Sequence, residues 1–220
     1  MGCRCARAER SRVLRSDSAA TESDDLAVTP FVAGKLKLAG DEGVWFFITA
    51  DISMFAVLFT AFMFVRAQQP ALFEQSRHAL NPALGTLNTL ILLASSWLVA
   101  LAVHAARDGK PAAVSRYLLS SILVGSGFAV SKVCEYTAKI KAGITLLTND
   151  FFMYYYVLTG LHFLHFIIGM GVLLVCWSKS RSDPIDRNFI VWIESSGCYW
   201  HMVDLLWIFL FPMLYLLRQP

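Results

Sequence analysis

The chain has 220 residues, 56% of them hydrophobic and 16% charged, whereas a soluble domain is about half apolar and a quarter charged. Its net charge of +3 is small, and no basic stripe interleaved with aromatics lies outside the apolar blocks, so no nucleic-acid partner is implied. The apolar residues form long blocks, which exclude an ordinary soluble domain, and the lack of two-residue alternation excludes an outer-membrane barrel.

The expected fold is therefore all-α, a polytopic membrane bundle of five transmembrane helices, because lipid offers no partners to open backbone groups. Residues 1–39 read as a disordered polar tail, with Arg4, Arg7, Arg10, Arg12 and Arg15 followed by Glu22, Asp24 and Asp25. The tail has no apolar core of a secretory signal. The five spans are predicted at about 44–65, 86–106, 114–136, 151–177 and 189–217. Linkers are marked by Pro70, Pro82, Gly109-Lys110-Pro111 and Asp183-Pro184. No internal repeat supports an inverted-repeat transporter. Cys3, Cys5, Cys134, Cys176 and Cys198 have no metal-like spacing and read as free thiols.

Lysines and arginines near the spans set the expected orientation. A cytoplasmic N-terminus puts the tail's seven basic residues inside, together with Arg107, Lys110, Arg116, Lys179, Arg181 and Arg187. It leaves Arg66, Arg77, Lys139, Lys141 and Arg218 outside, with Lys132 inside a span. The C-terminus then lies in the periplasm of a bacterial inner membrane. Trp45, Trp177 and Trp192 on one side, and Tyr154, Tyr155 and Tyr215 on the other, read as interfacial belts.

An ionisable group inside a span costs about 3 kcal/mol or more, so such groups are the informative ones. They are Asp51 in the first span and His104 in the second, which also carries the polar Asn88, then Lys132 and Glu135 in the third, His162 and His165 in the fourth, and His201 and Asp204 in the fifth with Glu194 earlier. Three-residue spacing puts each pair on one helix face. Lys132 and Glu135 can form a stabilising ion pair or serve proton movement. Asp51 reads as protonated, as paired with a histidine of another span, or as proton-responsive. The histidines with Asp204 superficially suggest metal ligands, but no Glu-x-x-His or HExxH motif accompanies them, and hydrogen bonds between helices explain them as well. No catalytic, cofactor-binding or metal residue is assigned. The small residues Ala94-Ser95-Ser96, Gly125-Ser126-Gly127, Gly160, Gly169 and Gly171 mark expected helix contacts.

Read with their neighbours, these residues resemble subunit III of the haem-copper oxidases. Residues 40–55, GDEGVWFFITADISMF, are similar to a helix of that family, with Asp51 where glutamate is usual. Leu87-Asn88-Thr89, Ser95 and His104 follow its LNT…S…AH pattern, and Glu135-Tyr136 its EY ending. Residues 151–169, FFMYYYVLTGLHFLHFIIG, resemble its TG-x-H-x-x-H helix, and Tyr199-Trp200-His201-Met202-Val203-Asp204 with Trp207 its YWH-x-VD-x-x-W helix. Long members have seven spans. Lys132 in Lys-x-x-Glu-Tyr, with the ending HMVDLLWIFLFPMLYLL, resembles most the five-helix NorE-type branch associated with bacterial nitric oxide reductase.

The resemblance implies a non-catalytic accessory subunit with no cofactor of its own. Haem, with or without copper, would sit in the partner, subunit I, beside sister subunits. The chain would bind phospholipid and support assembly, stability and proton uptake in aerobic or denitrifying electron transport. The alternative carried forward is a small proton- or ion-conducting membrane protein, with Asp51, His162, His165, His201 and Asp204 lining a polar path.

Overall fold

A computed structural model describes residues 42–182 and 186–217. The polar tail, Cys3, Cys5, Asp183, Pro184 and Arg218 lie outside the described residues. The described chain is helical, with no strand. It comprises α1 (Glu42–Gln68), α2 (Pro70–Arg77), α3 (Pro82–Arg107), α4 (Pro111–Lys141), α5 (Asp150–Ser182) and α6 (Arg187–Phe211), and a π-helical turn, Pro212–Leu216, continues α6. Five of these helices are long and apolar enough to cross a membrane. The chain is a multi-pass membrane protein.

The first four spanning helices extend beyond their predicted bounds at both ends, most at the C-termini of α4 and α5, which reach Lys141 instead of 136 and Ser182 instead of 177, while the last span starts earlier, at Arg187, and its helical turn ends at Leu216. The linker prolines explain part of this. Pro70, Pro82 and Pro111 open α2, α3 and α4, positions where the missing N–H has no helical partner to lose. Caps fix three starts. Asn81 accepts from Ala83 N at 3.0 Å, Asn149 from Phe152 N at 2.9 Å and Asp186 from Phe189 N at 2.7 Å. Two ends close through left-handed glycines, Gly109 (φ 68°) and Gly143 (φ 77°). In each, the following N–H reaches back to close the turn, Lys110 N to Ala105 O at 3.0 Å and Ile144 N to Lys139 O at 2.9 Å.

The short helix α2 was not expected between the first two spans. It forms because Phe73 is buried between Phe62 of α1 and Phe151 of α5, at ring distances of 5.4 and 5.5 Å. Around the bundle, α3 packs on α4 and α6, α4 on α5, α5 on α6, and α1 against α5 and α6.

Small residues govern only some of these contacts. Ser95 of α3 and Ser121 of α4 hydrogen-bond at 2.9 Å, with Gly125 packed beside Ser95. A Cβ at Gly169 would sit 2.9 Å from Cε3 of the buried Trp200, so glycine is what lets α5 and α6 meet there. Gly160 and Gly171, expected at helix contacts, have nothing within 4 Å of where a Cβ would be. Both lie on the open side of α5, and the expectation for them is corrected. The belt assignment is corrected at Tyr155 and Tyr215 as well. Both are buried within the bundle, at 0% and 1% exposure, because their hydroxyl-bearing rings line a charged cluster.

Candidate functional site

Lys132 is wholly buried on α4. Its Nζ donates to Glu135 Oε2 at 2.8 Å and to the Tyr215 hydroxyl at 3.2 Å. Tyr215 in turn donates to Glu135 Oε1 at 2.9 Å. Lys139 Nζ stands 3.7 Å from that same Oε1 and donates to the Ala79 carbonyl at 3.1 Å. Rings close the rest of the shell. Lys132 Nζ lies 4.7 Å from the Trp207 centroid, 5.6 Å from Tyr215, 5.7 Å from Tyr155 and 5.9 Å from Tyr136. A cation stripped of water is held by carboxylate, hydroxyl and aromatic faces together, each offsetting part of the desolvation cost.

The same end of α6 is pinned by arginines. The last carbonyls of a helix have no N–H ahead of them to bond. Arg66 of α1 donates to the Leu217 carbonyl at 2.9 Å. Arg77 of α2 donates to the Tyr215 carbonyl at 3.4 Å while paired with Glu74. Cations at a helix C-terminus meet the negative end of its dipole.

Asp51 finds its partner on α5. His165 Nε2 lies 3.2 Å from Asp51 Oδ2, and His165 Nδ1 lies 2.8 Å from the Leu161 carbonyl. A carbonyl only accepts, so Nδ1 carries a proton. Nε2 therefore faces the carboxyl, close enough for an ion pair between α1 and α5.

His162, one turn away, is 0% exposed. It packs on Trp207 at 5.2 Å and edge-on to Phe128 at 5.7 Å. Neither of its ring nitrogens has a hydrogen-bond partner among the described residues, and the same holds for both amide atoms of buried Asn88. Trp207 Nε1, by contrast, donates to Thr89 Oγ1 at 3.0 Å.

His201 turns to α3, with Nδ1 2.5 Å from Ser96 Oγ. Asp204, one turn on, is buried, with Oδ1 unpartnered among the described residues. His104 is exposed near the end of α3. Beside it Arg107 Nε donates to Glu194 Oε1 at 2.7 Å, joining α3 to α6. The histidines therefore divide among separate settings. Among the described residues no three His, Cys, Asp or Glu side chains converge as metal ligands would. Cys134, Cys176 and Cys198 are free thiols.

Ser96, expected at a helix contact, makes one with His201 of α6. Lys139 and Tyr215 were not expected in the cluster; Lys139 carried a signal, its four-residue spacing from Glu135, and Tyr215 carried none, because its role depends on which helices meet.

These features define a polytopic helical membrane protein whose buried charges are mostly balanced within the chain. The model of the family described as cytochrome c oxidase subunit III matches residues 27–218. The chain is 32% identical over 176 residues to cytochrome c oxidase subunit 3 of Synechocystis sp., covering 80% of this chain and 74% of that relative. It is 30% identical over 179 residues to quinol oxidase subunit 3 of Bacillus subtilis, covering 80% and 85%. A mammalian relative, cytochrome c oxidase subunit 3 of Loxodonta africana, is 32% identical over 193 residues, covering 85% and 71%. The chain belongs to the cytochrome c oxidase subunit III family.

Proposed function

We propose that this chain is a non-catalytic accessory subunit of a respiratory haem-copper terminal oxidoreductase in a bacterial inner membrane. Its N-terminus would be cytoplasmic and its C-terminus periplasmic. In this reading haem, with or without copper, resides in subunit I, and the chain carries no redox centre. The observation that supports it best is the family match over residues 27–218. The pairing of Asp51 on α1 with His165 on α5, and the bonds of Tyr215 to Lys132 and Glu135 of α4, are consistent with it, since such links hold helices together.

The relatives named above are oxidase subunits, which favours oxygen as the complex's electron acceptor. The NorE-type, nitric-oxide-linked reading rests on the sequence resemblance at Lys132-x-x-Glu135-Tyr136 and the chain's ending. Oxygen and nitric oxide consumption by the purified complex separates the two.

The test is to isolate the chain from mild detergent with and without its companions. Haem should follow the companion polypeptide, and metal analysis of the chain alone should find no stoichiometric haem iron or copper. A stoichiometric redox centre on the isolated chain would overturn the reading. Proton flux through liposomes holding only this chain would favour the conducting alternative. For Asp51→Asn we expect normal insertion and a complex with shortened working life. Unchanged turnover and lifetime would confine the Asp51–His165 pair to packing.

A further inference from the structure

The outward faces of the bundle are not alike. On α1 the exposed large side chains are apolar, such as Phe46, Val57 and Phe64, and on α5 they are Leu164, Ile167 and Leu174. Exposed ionisable side chains on α1, α4 and α5 lie only within about two turns of a helix end among the described residues. The paired face of α3 and α6 departs from this. His201 is exposed although it lies 14 residues into α6, roughly 21 Å along the helix axis at 1.5 Å per residue. The whole of α6 with its π-turn is a candidate span of 30 residues, and His201 lies near the middle of it.

His201 is not isolated. It lines one groove with His104, Arg107 and Glu194, and the groove's small residues are Ala100 and Gly197. The groove has a volume of about 300 Å³. His201 Nδ1 is engaged by Ser96, so the second ring nitrogen, Nε2, is the one left to meet a neighbour outside the chain. Towards the other end the same face continues with exposed apolar residues, Trp97 on α3 and Leu205 and Ile208 on α6. Lipid tails cannot hydrogen-bond an imidazole in the middle of a span, whereas a neighbouring helix can. Gly197 lets α6 pack closely on Val103 of α3, and the small exposed Ala100 leaves room for a second helix beside polar groups that supply bonds between helices.

We infer that the α3–α6 groove is the surface on which a transmembrane helix of the haem-bearing partner docks. That helix would place a hydrogen-bonding side chain opposite His201 and an apolar stripe against Trp97 and Leu205. A second copy of this chain fits less well. Each copy's Arg107 is already committed to its own Glu194, so two copies offer each other no complementary charge. The inference rests on the accessory-subunit reading and adds which face of the subunit makes the contact.

The test uses the complex purified in mild detergent through a tag on this chain. A photo-reactive amino acid is placed at Ala100 or Leu205 on the groove face, and at Phe64 on α1 or Val130 on α4 as reference faces. Cross-links to the haem-bearing polypeptide from positions 100 and 205, and few from 64 and 130, are expected. In parallel, the His104→Leu/His201→Leu variant should lower co-purified haem about five- to tenfold, the size of losing two bonds between helices. A monodisperse profile and an unchanged melting temperature of the variant chain show that it has folded. Should that variant misfold, the cross-linking arm decides alone. Cross-links to the haem polypeptide from 64 or 130 only would overturn the groove assignment and leave the accessory reading standing. Cross-links between copies of this chain, or to lipid alone, from 100 and 205 would also overturn it. If no haem-bearing polypeptide co-purifies with the parent chain, the accessory reading fails and the groove inference falls with it.

Discussion

The Lys132 cluster and the α3–α6 groove both place ionisable side chains inside spanning helices, and the chain treats them in opposite ways. Around Lys132 every charge faces inward, and the carboxylate, the Tyr215 hydroxyl and the aromatic rings complete one another. Along the groove, His104 and His201 face outward, and only part of their bonding capacity is met within the chain. A buried charge costs several kcal/mol unless its partners surround it. The first region is therefore self-sufficient and holds the bundle together. The second remains incomplete without a neighbour, which marks it as the site of an association.

The largest expected effect breaks the first region. Glu135→Ala leaves Lys132 and Lys139 buried without their shared carboxylate, and removing one partner of a buried pair costs about 3–5 kcal/mol. A drop of that size should appear in the unfolding of the detergent-solubilised chain. Adding Lys132→Met should recover part of the loss, because one uncompensated cation goes with it. If Glu135→Ala melted like the parent, the cluster would not be what stabilises this end of the bundle.

A second effect sharpens the role of packing against that of charge. Gly169→Ala puts a methyl group within 2.9 Å of the buried Trp200 ring, and overpacking of this kind costs about 1–3 kcal/mol. Gly160→Ala, with nothing within 4 Å, should leave stability unchanged. Equal losses at the two glycines would contradict the asymmetry between the two sides of α5.

A smaller effect is expected at Asn88, whose amide is buried without a partner among the described residues. Asn88→Leu should be neutral or stabilising, since it removes an unmet polar group. A loss above about 1 kcal/mol would point to a hydrogen-bond partner bound there, such as a water. The smallest effect belongs to the groove. His104→Ala should change the stability of the isolated chain by no more than about 0.5 kcal/mol, as for ordinary surface positions. A marked loss in the isolated chain would show that His104 serves the chain's own fold.

Much of this architecture was legible in the amino-acid sequence. Five apolar blocks, interrupted by prolines and charges, specify five helices because no other backbone arrangement satisfies its hydrogen bonds in lipid. The spacing of Lys132 and Glu135 also fixed their meeting, since residues three apart on a helix are neighbours wherever that helix goes. Tertiary structure alone decided the rest. It joined Asp51 to His165 rather than to His162, moved Tyr155 and Tyr215 from an interfacial belt to the heart of a charged cluster, and left Gly160 facing open space. Each of these outcomes depends on which helix faces which, and at what rotation. Helices that are apolar nearly all round, as α1 and α5 are, carry almost no amphipathic signal from which that rotation could be read.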